Sequence, residues 1–265
     1  MSCEKASDLY VYDCRLGTCT YMVQNRITGK RGVMTKLRCT PDSTERRVKT
    51  EVSVIEALTA AKVGNIPTIL DYGVEKEEVF MVTKYIGCDL QTLLSESKHN
   101  KLEVAAVTNI GNHVLDILFK MHPLGWVHGD IRPRNILLNI DSPRTCWLVG
   151  FYRTQSIVGD TVAKVITNDL VYTSPRVDGG HPLHPVDDLV SLIYTLDYLL
   201  RGSLPWAGET DRDAVIKMKH KFKPHDALGP LYKFALTVDK NSYYFVQGRI
   251  RALMNAYVLA HQCRG

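Results

Sequence analysis

His128-Gly129-Asp130-Ile131-Arg132-Pro133-Arg134-Asn135, and a little further on Trp147-Leu148-Val149-Gly150-Phe151-Tyr152, are the stretches on which the reading of this chain turns. The first crowds an acid, an amide and two arginines into one polar segment. The second is an apolar run that ends on Gly150, a residue with no side chain to offer. What these two segments mean depends on the elements that flank them.

Upstream, the pattern is one of short strands. Leu9 to Tyr12, Thr18 to Val23 and Gly32 to Leu37 carry β-branched and aromatic residues, and Asn25 and Thr28-Gly29-Lys30 punctuate them as turns. Val48, Val52, Ile55 and Leu58 then recur at helical spacing between Thr44 and Ala61, with Ser43 or Thr44 as cap. Ile66 to Leu70 and Val79 to Thr83 return to strand character. After Gly87 the periodicity is helical almost to the end, with helices expected at Asp89 to Leu94, Val104 to Met121, Pro185 to Leu200, Asp211 to Lys219, Gly229 to Val238 and Gln247 to His261. Strands first and helices afterwards is the α+β pattern of segregated layers.

Composition sets the outer bounds. The chain has 265 residues, 45% hydrophobic and 23% charged, which is ordinary for a globular protein with a substantial core. A net charge of +5 without a dominant basic cluster does not argue for nucleic-acid binding. No apolar run approaches the roughly 18 residues a spanning helix needs, and the start lacks a signal-peptide core. An intracellular protein, cytoplasmic or nuclear and off the membrane, is therefore expected. The seven cysteines, Cys3, Cys14, Cys19, Cys39, Cys88, Cys146 and Cys263, never form a Cys-x-x-Cys pair and read as free thiols. The histidines show no metal spacing. Met218 to Lys223 is a basic run that reads as a solvated helix end and loop, and Tyr243-Tyr244 reads as packing for the last helix.

Together these segments resemble the protein-kinase fold over nearly the whole chain, and within it the casein kinase 1 superfamily with its tau-tubulin and vaccinia-related branches. His128 to Asn135 resembles the catalytic loop, with Gly129 as in the vaccinia-related branch. Asp187-Asp188-Leu189 with Arg201-Gly-Ser-Leu-Pro-Trp-Ala-Gly208 is similar to the helix and turn of casein kinase 1. Glu51 to Leu58 resembles the helix αC of the tau-tubulin branch. The resemblance implies a bilobal α+β fold forming one domain over residues 1–265. Its small lobe, about 8–85, holds an antiparallel sheet and helix αC, and its larger, mainly helical lobe spans about 86–262. It also implies site residues: Asp130 as the base, Arg132 in the place of the lysine that steadies the γ-phosphate, and Asn135 as a metal ligand. Lys36 with Glu51 would form the phosphate-contacting ion pair, Gly17 would survive from the glycine-rich loop, Thr83 would be the gatekeeper, and Lys84, Tyr85 and Ile86 the hinge facing adenine.

The departures from the family pattern fall on the same phosphates. Gly150-Phe151-Tyr152 replaces Asp-Phe-Gly, so the metal-binding carboxylate is gone and no metal site is expected. Tyr12, Asp13 and Cys14 put side chains and a negative charge where glycine amides should approach phosphate. Arg132 for lysine is not conservative at a tight site. Asp169 stands where a threonine would bond the catalytic aspartate, and two adjacent carboxylates would repel or share a proton. Pro185-Val186 replaces the paired arginines associated with phosphate-primed substrates. The expectation is a pseudokinase that requires no cofactor, with ATP binding open only without normal magnesium coordination. It would act by binding a protein, an active kinase or a kinase substrate. The alternative is a weak or unconventional ATP-dependent Ser/Thr protein kinase resting on Lys36, Glu51, Asp130 and Asn135, with Asp141, Asp160 or Asp169 as substitute acid. Asp130 and Asn135 also have a purely architectural reading, since both side chains bond the loop backbone.

Overall fold

A computed structural model describes residues 9–38, 44–75, 77–97, 100–157, 170–238 and 240–262. The chain divides into two compact units, one ending at Gly87 and the other beginning at Cys88.

Among the described residues the first unit is a five-stranded antiparallel sheet with one long helix. Strands β1 (Tyr10–Arg15), β2 (Thr20–Asn25), β3 (Arg31–Arg38), β4 (Ile69–Glu75) and β5 (Glu78–Lys84) lie in the order β1-β2-β3-β5-β4, so β4 closes one edge. Helix α1 (Thr44–Ala60) buries Val48, Val52, Ile55 and Leu58, the residues whose spacing marks it in the sequence. β2 is shifted two residues on from expectation, to Thr20–Asn25, and two other strands differ more. β1 runs on to Arg15, because Tyr12 stacks edge-on against Tyr21 and its hydroxyl donates to Met34 Sδ, giving the extended chain a packing partner. β4 starts at Ile69 rather than Ile66, since Pro67 brings no N–H to the ladder. It continues through Gly73, whose missing side chain leaves room for the Phe80 ring opposite.

The second unit is built on helix α5 (Pro185–Arg201). Almost every residue from Pro185 to Leu200 is buried, so this helix is core on all sides. His184 and Asp187 cap it reciprocally, each accepting from backbone at the helix start. Around it lie α2 (Leu90–Glu96), α3 (Val104–Met121), α4 (Pro175–Asp178), α6 (Arg212–His220), α7 (Gly229–Thr237) and α8 (Gln247–Gln262). Helical periodicity hides two small sheets here. β6 (Gly87–Asp89), β8 (Ile136–Asn139) and β9 (Cys146–Leu148) form one, while β7 (Trp126–Val127) pairs with β10 (Gln155–Ser156). Strands of two to four residues are too short to display a period. Among the described residues no helix is long and apolar enough to cross a membrane.

Candidate functional site

The two small sheets place the candidate site. Asp130 lies in the turn between β7 and β8, and Gly150 to Arg153 lie between β9 and β10. Gln155 pairs with Val127 and Ile136 with Leu148, so both loops are drawn together from either side.

The turn is anchored from beneath by α5. Asp188, buried on that helix, accepts the backbone N–H groups of His128 and Gly129, both at 2.8 Å, and lies 2.9 Å from His122 Nε2. His122 in turn meets the hydroxyl of buried Tyr243 at 2.9 Å, so that tyrosine ties the final segment to this network. Gly129 is demanded by the geometry: its φ is +74°, and a Cβ there would come within 2.8 Å of Leu183 and 3.1 Å of the Arg153 carbonyl. The His128 ring is buried between Val149, whose carbonyl accepts from Nε2, and the Asp130 amide, which donates to Nδ1.

Burial pushes the His128 pKa down, the nearby carboxylates of Asp188 and Asp130 only partly opposing it. For Asp188, burial alone would raise the pKa, but the hydrogen bond and charge of His122 and the Gly129 amide outweigh it and leave it below the ordinary value. The signs agree. Below about pH 6.5 the unfolded chain takes a proton that folded His128 resists, and below about pH 4 protonation removes the stabilising charge of Asp188. Stability is therefore expected to fall as pH drops from 7.5 to 5.5. Urea melts should show the slope, and it should flatten in His128→Gln; an unchanged slope in that variant would remove His128 from the account.

Asp130 is 7% exposed and its carboxylate is already engaged. Oδ2 accepts from Asn135 Nδ2 at 2.7 Å and from the Tyr152 hydroxyl at 2.8 Å, and Arg132 Nε stands 3.3 Å away. Arg153 Nη1 lies 3.5 Å from Oδ1. Burial first, and then the charge of Asp130, pushes the Tyr152 pKa up, so this hydroxyl keeps its proton and donates it. Arg132 reaches the same hydroxyl through Nη2 at 3.1 Å. The recess beside Asp130, lined by Gly129, Arg153, Tyr172 and Ser191 among others, measures about 10 Å³. That is about room for one water.

Asn135 faces inward. Its amide donates to the Asp130 carbonyl at 2.8 Å as well as to the carboxylate, while its side chain fills the space over Gly150. Gly150 has φ +82°, and a Cβ on it would fall 2.7 Å from Asn135 Oδ1 and 2.8 Å from Cγ. The position therefore excludes a side chain as Asn135 now stands. Asp160 and Asp169 fall outside the described residues. Asp141 lies in the exposed turn after β8, where its amide donates to Asn139.

In the first unit the structure separates residues that the sequence reading put together. Lys36 pairs with Glu78 at 2.7 Å, not with Glu51, and this bond raises the lysine's pKa. The register explains the correction. Lys36 lies opposite Phe80 whereas Val33 lies opposite Thr83, so Lys36 and Thr83 point to opposite faces of the sheet. Ile55 and Thr59 of α1 share a groove with Tyr72, whose partner Met81 is on the Thr83 face. Helix α1, which carries Glu51, therefore covers the face that Lys36 turns away from, and the β3 side chains facing α1 are the uncharged Val33, Thr35 and Leu37.

Gly17 also departs from expectation. It has no positive φ, its amide donates to the Thr20 carbonyl, and the Arg15 guanidinium caps the carbonyls of Gly17 and Thr18. The loop between β1 and β2 is closed on itself. In the expected hinge, the Lys84 amide is taken by the Thr68 carbonyl, Ile86 is buried and Tyr85 is half-buried.

A protein kinase domain matches residues 16–252. The chain belongs to the protein kinase family. Among its relatives are a probable serine/threonine-protein kinase of Dictyostelium discoideum, 25% identical over 72% of this chain and 40% of its own length, and human serine/threonine-protein kinase VRK3, 29% identical over 62% and 37%. The casein kinase 1-like protein HD16 of Oryza sativa subsp. japonica is 32% identical over 43% of this chain and 18% of its own. The chain thus spans well under half the length of these relatives. The solved structure of vaccinia related kinase 3 matches with TM-score 0.76 at 19% identity, covering 96% of this chain and 88% of that one, which establishes the kinase fold. Within that fold, the feature sequence reasoning missed is Tyr152. Its presence was legible as the loss of a glycine, but its gain of a donor aimed at Asp130 was not.

Proposed function

We propose that this kinase domain does not transfer phosphate at an appreciable rate and works inside the cell by binding another protein, an active kinase or a kinase substrate. The observation that carries this reading is the Tyr152 hydroxyl on Asp130 Oδ2. In phosphoryl transfer this carboxylate receives the acceptor's hydroxyl proton; here its Oδ2 already holds a side-chain hydroxyl and an amide. Three further features support it: the side-chain-free Gly150, the self-closed loop at Gly17, and the turning of Lys36 to Glu78. Each departs from a feature that supplies positioning or charge in this reaction class, which obtains most of its catalysis that way. Any ATP that binds would do so without normal magnesium coordination.

The retained Asp130–Asn135 pair favours a second reading, a weak Ser/Thr kinase gated by Tyr152. Radiolabel transfer to an acidic casein-type substrate separates the two. On the first reading wild type, Asp130→Asn and Tyr152→Phe are equally inert, and ATP gives no magnesium-dependent thermal shift. Transfer by the wild type that Asp130→Asn abolishes, or that Tyr152→Phe raises about ten-fold or more, would overturn it.

A further inference from the structure

Asp197 is a fully buried carboxylate with half of its bonding capacity unused. It lies on α5 at 0% exposure, and both groups that meet it do so at one oxygen. Oδ1 accepts the His225 backbone N–H at 2.6 Å and stands 3.2 Å from Arg201 Nε. Oδ2 is equally buried and, among the described residues, has no hydrogen-bond partner. Other buried acids of this unit engage both oxygens. Asp188 takes the Gly129 amide on one and the His128 amide on the other, Asp187 the Ser174 hydroxyl and the His184 amide, Asp178 the Thr173 hydroxyl and Lys219. A buried charged oxygen left without a partner is costly, and a proton relieves it.

What the engaged oxygen holds is the connection between α6 and α7. Arg201, with 40% of its side chain exposed, reaches on through Nη2 to the Lys223 carbonyl at 3.2 Å, so residues 223 and 225 are both tied to α5. The His225 carbonyl in turn accepts the amides of Leu228 and Gly229, where α7 begins. At its other end the connection follows α6, whose Lys219 binds the Thr173 carbonyl beside the recess at Asp130.

The charged and titratable groups around Asp197 are Arg201 on its own helix and His225 on the connection. α7 brings the Tyr232 hydroxyl against that of Tyr194, α8 sets Tyr257 against the His225 ring, and α3 meets α5 with Gly111 against Leu196. Burial pushes the Asp197 pKa up, and the His225 amide with the charges of Arg201 and His225 opposes this only in part.

We propose that Asp197 is a proton-operated latch: its charged form pins residues 223–225 to α5, and uptake of a proton on Oδ2 slackens that hold. A neutral carboxyl is a weaker acceptor for the His225 N–H and gives Arg201 no counter-charge. The global and local effects differ in sign. With its folded pKa above the unfolded one, the folded chain takes up this proton first, so Asp197 adds stability as pH falls through the folded pKa, opposite to His128. The connection loosens over that same step. None of this depends on whether phosphate is transferred.

The test is an NMR titration of the full chain, following the Asp197 carboxyl carbon and the His225 amide. Asp197 is expected to titrate at a higher pH than Asp141 in its exposed turn. The His225 amide should shift with the Asp197 midpoint and, after correction for intrinsic exchange, exchange about ten-fold faster below it. Asp197→Asn should remove that step and leave only the shift from the His225 ring itself. Arg201→Gln, a change at a partly exposed side chain, should move the Asp197 midpoint further up by withdrawing an opposing charge. It carries the test alone if Asp197→Asn does not fold. Asp197 titrating together with Asp141, a His225 amide indifferent to that midpoint, or an unmoved midpoint in Arg201→Gln would each overturn the latch.

Discussion

Lys219→Ala is expected to destabilise the fold by about 3–5 kcal/mol, the usual effect of stripping one partner from a buried ion pair. The sequence places Lys219 in a basic run that reads as solvated, yet it is 1% exposed. Its Nζ bonds Asp178 Oδ2 and the Thr173 carbonyl, each at 2.7 Å, and the Leu170 carbonyl as well. The rings of Tyr194 and Trp206 lie 5.6 and 5.5 Å from the same nitrogen, positions that attract a cation. Removing the amine would leave the Asp178 carboxylate in the core without its counter-charge, and would free the 170–173 segment from α6. At about 2–4 °C per kcal/mol for a chain near this size, the melting temperature should drop by roughly 10 °C. The pair Lys219→Met with Asp178→Asn should recover a large part of that loss. A single-variant loss below about 1 kcal/mol would mean that water reaches this ion pair after all.

Gly150→Asp is the obvious attempt to rebuild the metal site, and it should fail. The new Cβ would enter the volume of Asn135, whose displacement would break two hydrogen bonds to Asp130, and φ +82° adds strain to any residue with a side chain. A cost of about 2–3 kcal/mol is expected, with no magnesium-dependent gain in ATP binding by calorimetry. Tyr152 would still cap Asp130 in this variant. Restored magnesium-dependent binding at wild-type stability would show instead that Asn135 swings aside easily.

How much of this was written in the sequence depends on the range of the interaction concerned. The helices α1, α3 and α5 announce themselves, because burial of one stripe or of a whole helix imposes a local pattern. Gly150 and Gly129 stand out as missing side chains at named positions of a resembled motif. The Lys36–Glu51 pairing could not be checked that way, since it depends on strand register, and a one-residue step in register moves every side chain to the other face. The burial of Lys219 was equally hidden: a lysine in a basic run reads as solvated, and only the fold brings Asp178, forty-one residues earlier, to meet it. Tyr152 lies between these cases, visible as a substitution but silent about where its hydroxyl would point.

Asp188 carries a wider consequence. It grips the chain at two main-chain N–H groups, which every residue except proline possesses. The path of the chain at His128 and Gly129 is thereby held through main chain, and, Gly129 aside, this start of the turn is underwritten by α5 rather than by any group that reacts. A protein so arranged can exchange its chemistry at Asp130 and Arg132 while its outline, and whatever recognises that outline, persists.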